Sequence, residues 1–267
     1  FIQTCALEEG ATRGAELIGW NAKRGSAEWH TVPGRPNLRR GIGGALAMQG
    51  TAIPFIDMGG ASLKMNDDGS FNLLVGATDL GTGSDTILAQ MVAETVGCRV
   101  EDIVVYSSDT DFTPFDVGAY ASSTTYISGA AATRAAQQVA QQIREVAAEI
   151  LGEVDVPDIR LADRCAWAPD GRAVTLEEIA LQSLHRSNQR QIMAVASFIT
   201  VTNLPTRTSP VSMSTVTSAN WAAKGGGDIE TGEVRVGKFV TVMDSGVIVN
   251  PVAATGQIEG AVSQQLG

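Results

Sequence analysis

GGASLKMNDDGSFNLLVGATDLGTGSDTILAQMVAETVG, residues 59–97, changes its period twice. Apolar and polar residues alternate on both sides of Asn66, Asp67, Asp68 and Gly69. Two alternating runs around an Asp-Gly turn predict a β-hairpin. A bare loop follows, with Gly81, Thr82, Gly83 and Ser84 at its end. Beyond it Ile87, Leu88, Met91, Val92 and Val96 recur at helical spacing, with Ser84 placed to cap the helix. Hairpin, loop and helix in that order point to an α+β fold.

The pattern extends outward from this stretch. VEDIVVYSSD (100–109) reads as a strand, and 109–128 as a long loop rich in small hydroxyl residues. The next 24 residues, GAAATRAAQQVAQQIREVAAEILG, form the clearest helix, dense in Ala, Gln and Glu. Residues 152–190 read as a connector with a short helix at LEEIALQSLH, and IMAVASFITVT (192–202) as a strand. DIETGEVRVGKFVTVMDSGVIVNP (228–251) then repeats the first plan. An acidic turn precedes a long strand ending in Asp244-Ser245-Gly246, and a helix follows with Asn250 as cap and Pro251 at its first position. The expectation is two related β-hairpin/loop/helix units, with mixed sheets packed against helices. Residues 1–44 read as a connection from a missing upstream part, 45–151 as the first unit, and 152–267 as a connector plus a second unit cut short at its C-terminus.

Composition narrows the function classes. With 44% hydrophobic residues against 18% charged, the chain can bury a sizeable core. A net charge of -10 argues against nucleic acid and anionic membranes as partners. Small anions remain possible, because backbone N–H groups can hold them. Cys5, Cys98 and Cys165 are far apart and odd in number, which encodes neither a disulfide framework nor a cysteine-ligated cluster. His30 and His185 are too isolated for a His-rich metal site. With no signal peptide or membrane-spanning run, a cytoplasmic protein is the default expectation.

Three stretches could carry chemistry. Gly81, Thr82, Gly83 and Ser84 stand at a helix N-terminus, where free N–H groups and the positive dipole end favour an oxyanion. The same residues also suit a plain strand-to-helix turn. Ala119, Tyr120, Ala121, Ser122, Ser123 and Thr124 again place small residues and hydroxyls before a helix, either to grip a phosphate or ring edge or simply to cap it. Gln257 shares a helix face with Gly260 and Ala261, which suits either a buried polar ligand or a helix–helix contact. Asp79, Asp109, Asp111 and Asp116 lie at loop ends, where turn or cap roles are commoner than catalysis. No nucleophile stands with a base.

Together, in this order, the three stretches resemble the molybdenum-cofactor-binding region of the xanthine dehydrogenase/aldehyde oxidase family of molybdenum hydroxylases, in its bacterial multi-subunit form. GATDLGTGSDTILAQMVAETVG is similar to the family's G-x-x-D/E-x-G-Q-G-x-x-T segment, and SSDTDFTPFDVGAYASSTTYISGAA to its Asp-Thr…Pro…Gly…Ser segment. TGEVRVGKFVTVMDSGVIVNPVAATGQIEGAVSQQLG resembles its D-x-G-x-x-x-N-P…G-Q-I-E-G-x-x-x-Q-x-L-G ending. The resemblance runs from about Gly41 to Gly267.

The resemblance implies molybdopterin, or its cytosine dinucleotide, carrying molybdenum. Gly81, Thr82, Gly83 and Ser84 would lie along the pterin and its phosphate. Ala119, Tyr120, Ala121, Ser122, Ser123 and Thr124 would run past the metal, with Ala121 nearest, and Gln257 would hydrogen-bond the cofactor. It implies hydroxylation of an aldehyde or N-heteroaromatic substrate, with electrons passing to a [2Fe–2S] subunit and usually an FAD subunit. It also implies the remaining half of the molybdenum domain as partner. The family's base is a glutamate in a G-E-x-P-type segment beyond the Q-I-E-G helix. That position falls past Gly267, so no residue here takes the role, and Glu259 belongs to the helix motif. Thr82 stands where the family usually has glutamine, and WAAKGGGDIETG has glycines where a strand is expected. These two departures motivate a rival expectation, a family-derived binding or assembly module without catalysis.

Overall fold

The computed structural model describes residues 6–51, 56–152, 154–186, 189–199 and 214–266, with side chains outside 48–51 and 214–225. Cys5 and the end of the strand expected at 192–202 lie outside the described residues. The chain divides into two compact units, Phe1–Thr51 with Pro210–Ile248 and Ile258–Gly267, and Ala52–Ser209 with Val249–Gln257.

In chain order the elements begin with α1 (Leu7–Ile18), α2 (Trp20–Lys23), α3 (Ala27–His30) and β1 (Leu38–Thr51). The expected hairpin follows as β2 (Met58–Met65) and β3 (Phe71–Val75), then α4 (Ser84–Val96), β4 (Ile103–Ser107) and α5 (Thr124–Leu151). Next come β5 (Arg160–Ala162), β6 (Cys165–Trp167), β7 (Ala173–Thr175), α6 (Leu176–His185) and β8 (Met193–Ile199). The chain closes with β9 (Ser214–Asp228), β10 (Val234–Asp244) and α7 (Pro251–Leu266). Among the described residues the architecture is α+β with one mixed and two antiparallel sheets.

In the first unit β9 lies between β1 and β10, antiparallel to both. The helix α1 packs on β9 and β10. Its buried Gly10 and Gly14 allow close approach, and Gly19 ends it in a left-handed cap. Two expectations fail here. The connection read up to Gly44 ends earlier, because β1 begins at Leu38. The glycines at 225–227 do not interrupt the strand, since Gly225, Gly226 and Gly227 pair with Gly41, Arg40 and Arg39 on one side and with Val236, Arg235 and Val234 on the other. Hydrogen bonds from both flanks hold what local propensity would not.

The second unit is built on the mixed sheet, order β4-β3-β2-β8. The hairpin forms as its sequence requires. Gly69 N–H donates to Asn66 O (3.1 Å), Asn66 N–H to Ser70 O (2.8 Å), and Gly69 takes φ +78°. Leu63, Phe71, Leu73 and Val75 point inward and meet Leu88, Val92 and Val96 of α4, all fully buried. The helix α5 is longer than expected, starting at Thr124. It turns Ala131, Ala132, Ala135, Ala136, Ala140 and Ala147 into the core, where side chains this short bring its backbone close to the sheet.

The connector also holds the small sheet β5-β6-β7. Its first turn places Asp163 (φ +54°) and Arg164 (φ +60°) in the left-handed region. Arg164 then ties four segments together. Its guanidinium pairs with the buried Asp102 and donates to Asp68 O (3.1 Å). Its N–H donates to Gly97 O (2.9 Å), and its carbonyl accepts from Leu176 N–H (2.8 Å).

Candidate functional site

The strands β3 and β4 pair in parallel, so their C-terminal ends share one edge of the mixed sheet. One segment leaves that edge for α4 and another for α5. Ligand loops in sheets with parallel strands gather at this edge. Three glycines let the segments crowd together. A Cβ on Gly76 would sit 2.7 Å from Asp116 Cβ, one on Gly60 2.7 Å from Pro114 Cβ, and one on Gly59 3.0 Å from Asp116 Oδ2. Asp116 anchors the second segment by accepting from Ser128 Oγ (2.6 Å) and Gly118 N–H (3.0 Å).

In the first segment, Gly81 (φ +88°) and Gly83 (φ +75°) occupy the left-handed region. Asp79 organises them. Its Oδ1 accepts from Gly81 N–H (2.8 Å) and Gly83 N–H (3.1 Å), and its Oδ2 from Asp85 N–H (3.4 Å). Partial burial pushes the Asp79 carboxyl up, but the N–H groups of Gly83, Asp85 and Gly81 outweigh it and hold it below the usual range. Two expectations are corrected here. Gly83, not Ser84, is the cap residue of α4, and the N–H groups of Gly81 and Gly83 already serve a carboxylate of the chain itself. Ser84 becomes the first helical residue, 5% exposed, and its buried Oγ has no hydrogen-bond partner among the described residues. A side chain at Gly81 would meet nothing within 4 Å, whereas one at Gly83 would face Ala253 Cβ at 3.8 Å.

The second segment contains backbone strain. Ser123 N–H donates to Tyr120 O (3.1 Å), closing a turn with Ala121 (φ +49°) and Ser122 (φ +53°) at its centre. Such a turn normally takes Gly or Asn, and a side chain there costs roughly 1–2 kcal/mol per residue. Ser123 Oγ backs the turn by donating to Tyr120 O (2.8 Å) instead of capping α5. Burial, then a hydrogen bond to the buried Asp57, raise the Tyr120 hydroxyl above its ordinary value. Thr124 opens α5.

The third element joins them. Asn250 Oδ1 accepts from Ala253 N–H (3.0 Å), the cap expected from sequence, while its Nδ2 donates to Gln90 Oε1 on α4 (3.3 Å). The start of α7 therefore lies against α4 and Gly83. Gln257, farther along α7, is exposed. The structure thus gathers Gly81, Thr82, Gly83 and Ser84 with the start of α7, and sets the 119–124 segment at the same sheet edge. The turn or cap role read for Asp79 from the sequence is the one it plays, though the sequence reading did not single it out as the residue that organises both glycines. An Asp two residues before a glycine at a helix entrance was its signal, because such a side chain bonds backbone N–H groups just ahead. Among the described residues no three His, Cys, Asp or Glu side chains are grouped to hold a metal ion.

The family model for the molybdopterin cofactor-binding domain matches residues 13–267. The chain belongs to this family. It is 36% identical over 265 residues to the probable hypoxanthine oxidase XdhD of Escherichia coli K12, covering 99% of this chain and 26% of that protein. It is 34% identical over 272 residues to the putative xanthine dehydrogenase molybdenum-binding subunit XdhA of the same organism, covering 100% of this chain and 34% of that one. The chain thus spans about a quarter to a third of the length of these relatives. Among solved structures, quinoline 2-oxidoreductase from Pseudomonas putida 86 superposes with a TM-score of 0.81 at 22% identity, over 97% of this chain and 33% of that one. A CO dehydrogenase from Oligotropha carboxidovorans gives 0.79 at 22%, over 95% and 32%. The two superpositions show the fold. The resemblance to the xanthine dehydrogenase/aldehyde oxidase group therefore holds.

Proposed function

We propose that this chain is part of the molybdopterin-binding portion of a molybdenum hydroxylase that oxidises an aldehyde or N-heteroaromatic substrate. The observation that carries the reading is the meeting of two ligand-type segments at one sheet edge, in a chain of the molybdopterin cofactor-binding domain family. The residues present suit such a group. The open face over Gly81 admits it, the orphaned Ser84 Oγ can donate to it, and the Ala121–Ser122 turn presents backbone to it. Ser122 and Thr124 add neutral hydroxyl donors and Gln257 an amide, while the Thr82 hydroxyl lies 3.5 Å from Asp79 Oδ1. The N–H groups of Gly81 and Gly83 are committed to Asp79, so these glycines give clearance rather than grip.

When bound, molybdopterin supplies the metal and two-electron redox chemistry. The residues here would bind and orient it, with Ala121 as the candidate nearest the metal. No residue of the chain is assigned the role of base. The proposed partners are the remaining half of the molybdenum domain, a [2Fe–2S] subunit and an FAD subunit. No helix among the described residues is long and apolar enough to cross a membrane. The test is molybdenum and pterin analysis of the purified full-length complex, with turnover of aldehyde and purine-type substrates. Stoichiometric cofactor and turnover of either class are expected. Full-length protein that binds no pterin would overturn the reading in favour of a non-catalytic module.

A further inference from the structure

We propose that Asp79 is the positioning residue of this site, holding the glycine segment open before the cofactor arrives. The inference rests on the cofactor reading above. Three backbone donors, Gly81 N–H, Gly83 N–H and Asp85 N–H, converge on one carboxylate at 2.8, 3.1 and 3.4 Å. Thr82 Oγ1 stands 3.5 Å from the same Oδ1. Free glycines sample both signs of φ, so a segment carrying two of them would otherwise be ordered at the ligand's expense. Asp79 removes that cost in advance by fixing Gly81 and Gly83 at φ +88° and +75°. It also turns the bonded N–H groups inward and leaves the Gly81 face clear, with nothing within 4 Å of a Cβ there.

A competing role predicts the opposite sign. If the carboxylate occupied the place of an anionic group of the ligand, removing it would increase loading.

The experiment uses full-length protein from a cofactor-producing host, carrying Asp79→Ala, Asp79→Asn or Asp79→Glu. Asp68→Ala is the control, since Asp68 staples the distant β2–β3 turn through Ser70 N–H at 2.8 Å. Bound molybdenum, released pterin, circular dichroism and amide exchange at Gly81 and Gly83 are read together. Asp79→Ala is expected to keep its folded spectrum, exchange both amides faster and lose bound pterin by about tenfold, the scale of one ordered segment. Asp79→Glu is expected to recover at least half of the wild-type loading, and Asp68→Ala to load fully. If Asp79→Ala does not accumulate, Asp79→Asn decides, because its amide keeps one acceptor oxygen and intermediate loading is expected. Wild-type or higher loading in Asp79→Ala, or wild-type loading in Asp79→Asn where that variant decides, overturns the proposal while the cofactor reading stands. A wild-type protein without pterin overturns both.

Discussion

At Ala121 and Ser122 the backbone holds two side chains where glycine is at home. Replacing Ala121 by glycine relieves roughly 1–2 kcal/mol of strain and adds about 0.4–1 kcal/mol of unfolded-state freedom. The expected result is a protein more stable by up to about 1.6 kcal/mol, visible as a higher melting temperature. A marked loss of stability would show that the turn is not strained. Gly83 behaves in the opposite way. Its φ of +75° makes Gly83→Val a poor fit whatever the space, so bound molybdenum should fall while the fold persists. Unchanged molybdenum content would sink that expectation. Asp79 adds a pH signature. Its folded-state pKa is depressed, so its stabilisation is complete above the ordinary value of 3.8 and is lost only as pH falls through the lower folded value. The amide protons of Gly81 and Gly83, followed by NMR with labelled glycine, should therefore shift with a midpoint below 3.8. A midpoint at or above that value would mean the carboxylate is not bonded to them.

The elements differ in how openly the sequence announces them. The β2–β3 hairpin, α4, α6 and the Asn250-Pro251 start of α7 are all legible, because each is specified by neighbours a few residues away. The strand β1 is not. Its glycine-rich run lacks alternation, and it is held by a partner far along the chain, with Leu38 opposite Asp228. The strands β5 to β7 are three residues each, and the turn between the first two uses Asp163 and Arg164 rather than the glycine a reader looks for. The site was half legible for the same reason. Glycine spacing marks the first segment, but the contact of Gly76 with Pro114 and Asp116 is tertiary. That contact can be broken singly. Gly76→Ala would place a Cβ 2.7 Å from Asp116 Cβ and overlap Pro114 O, both parts of the backbone-anchored second segment. It should destabilise the protein by about 1–3 kcal/mol and lower cofactor loading together. Thermal melting and pterin analysis of the same sample test this, and a drop in neither would show that the two segments are independent.

Seen as a molecule, the chain leaves much apolar surface uncovered. One row of the mixed sheet runs Tyr106, Leu74, Ser62, Val195, and its outer members are 49% and 62% exposed. Val104 and Ile199 on the two outer strands are also exposed. Apolar side chains grouped on one exposed sheet face favour association. The net charge of -10 opposes association, but screening within about 8 Å at physiological salt limits it. These 267 residues produced alone should therefore self-associate and carry no cofactor, which light scattering at micromolar concentration can check. A monomer with stoichiometric molybdopterin would show that the chain is self-sufficient. A different consequence follows from Arg164, which pairs with Asp102 across 62 residues of sequence. At synthesis rates of about 5–20 residues per second, Asp102 leaves the ribosome roughly 3–12 seconds ahead of its partner. Arg99 accompanies it through that interval, with an ion pair at 3.7 Å and a backbone N–H at 3.0 Å. A carboxylate destined for burial is costly to enclose with so little compensation. The end of α4 can therefore close over a fully paired Asp102 only once the β5–β6 turn has emerged.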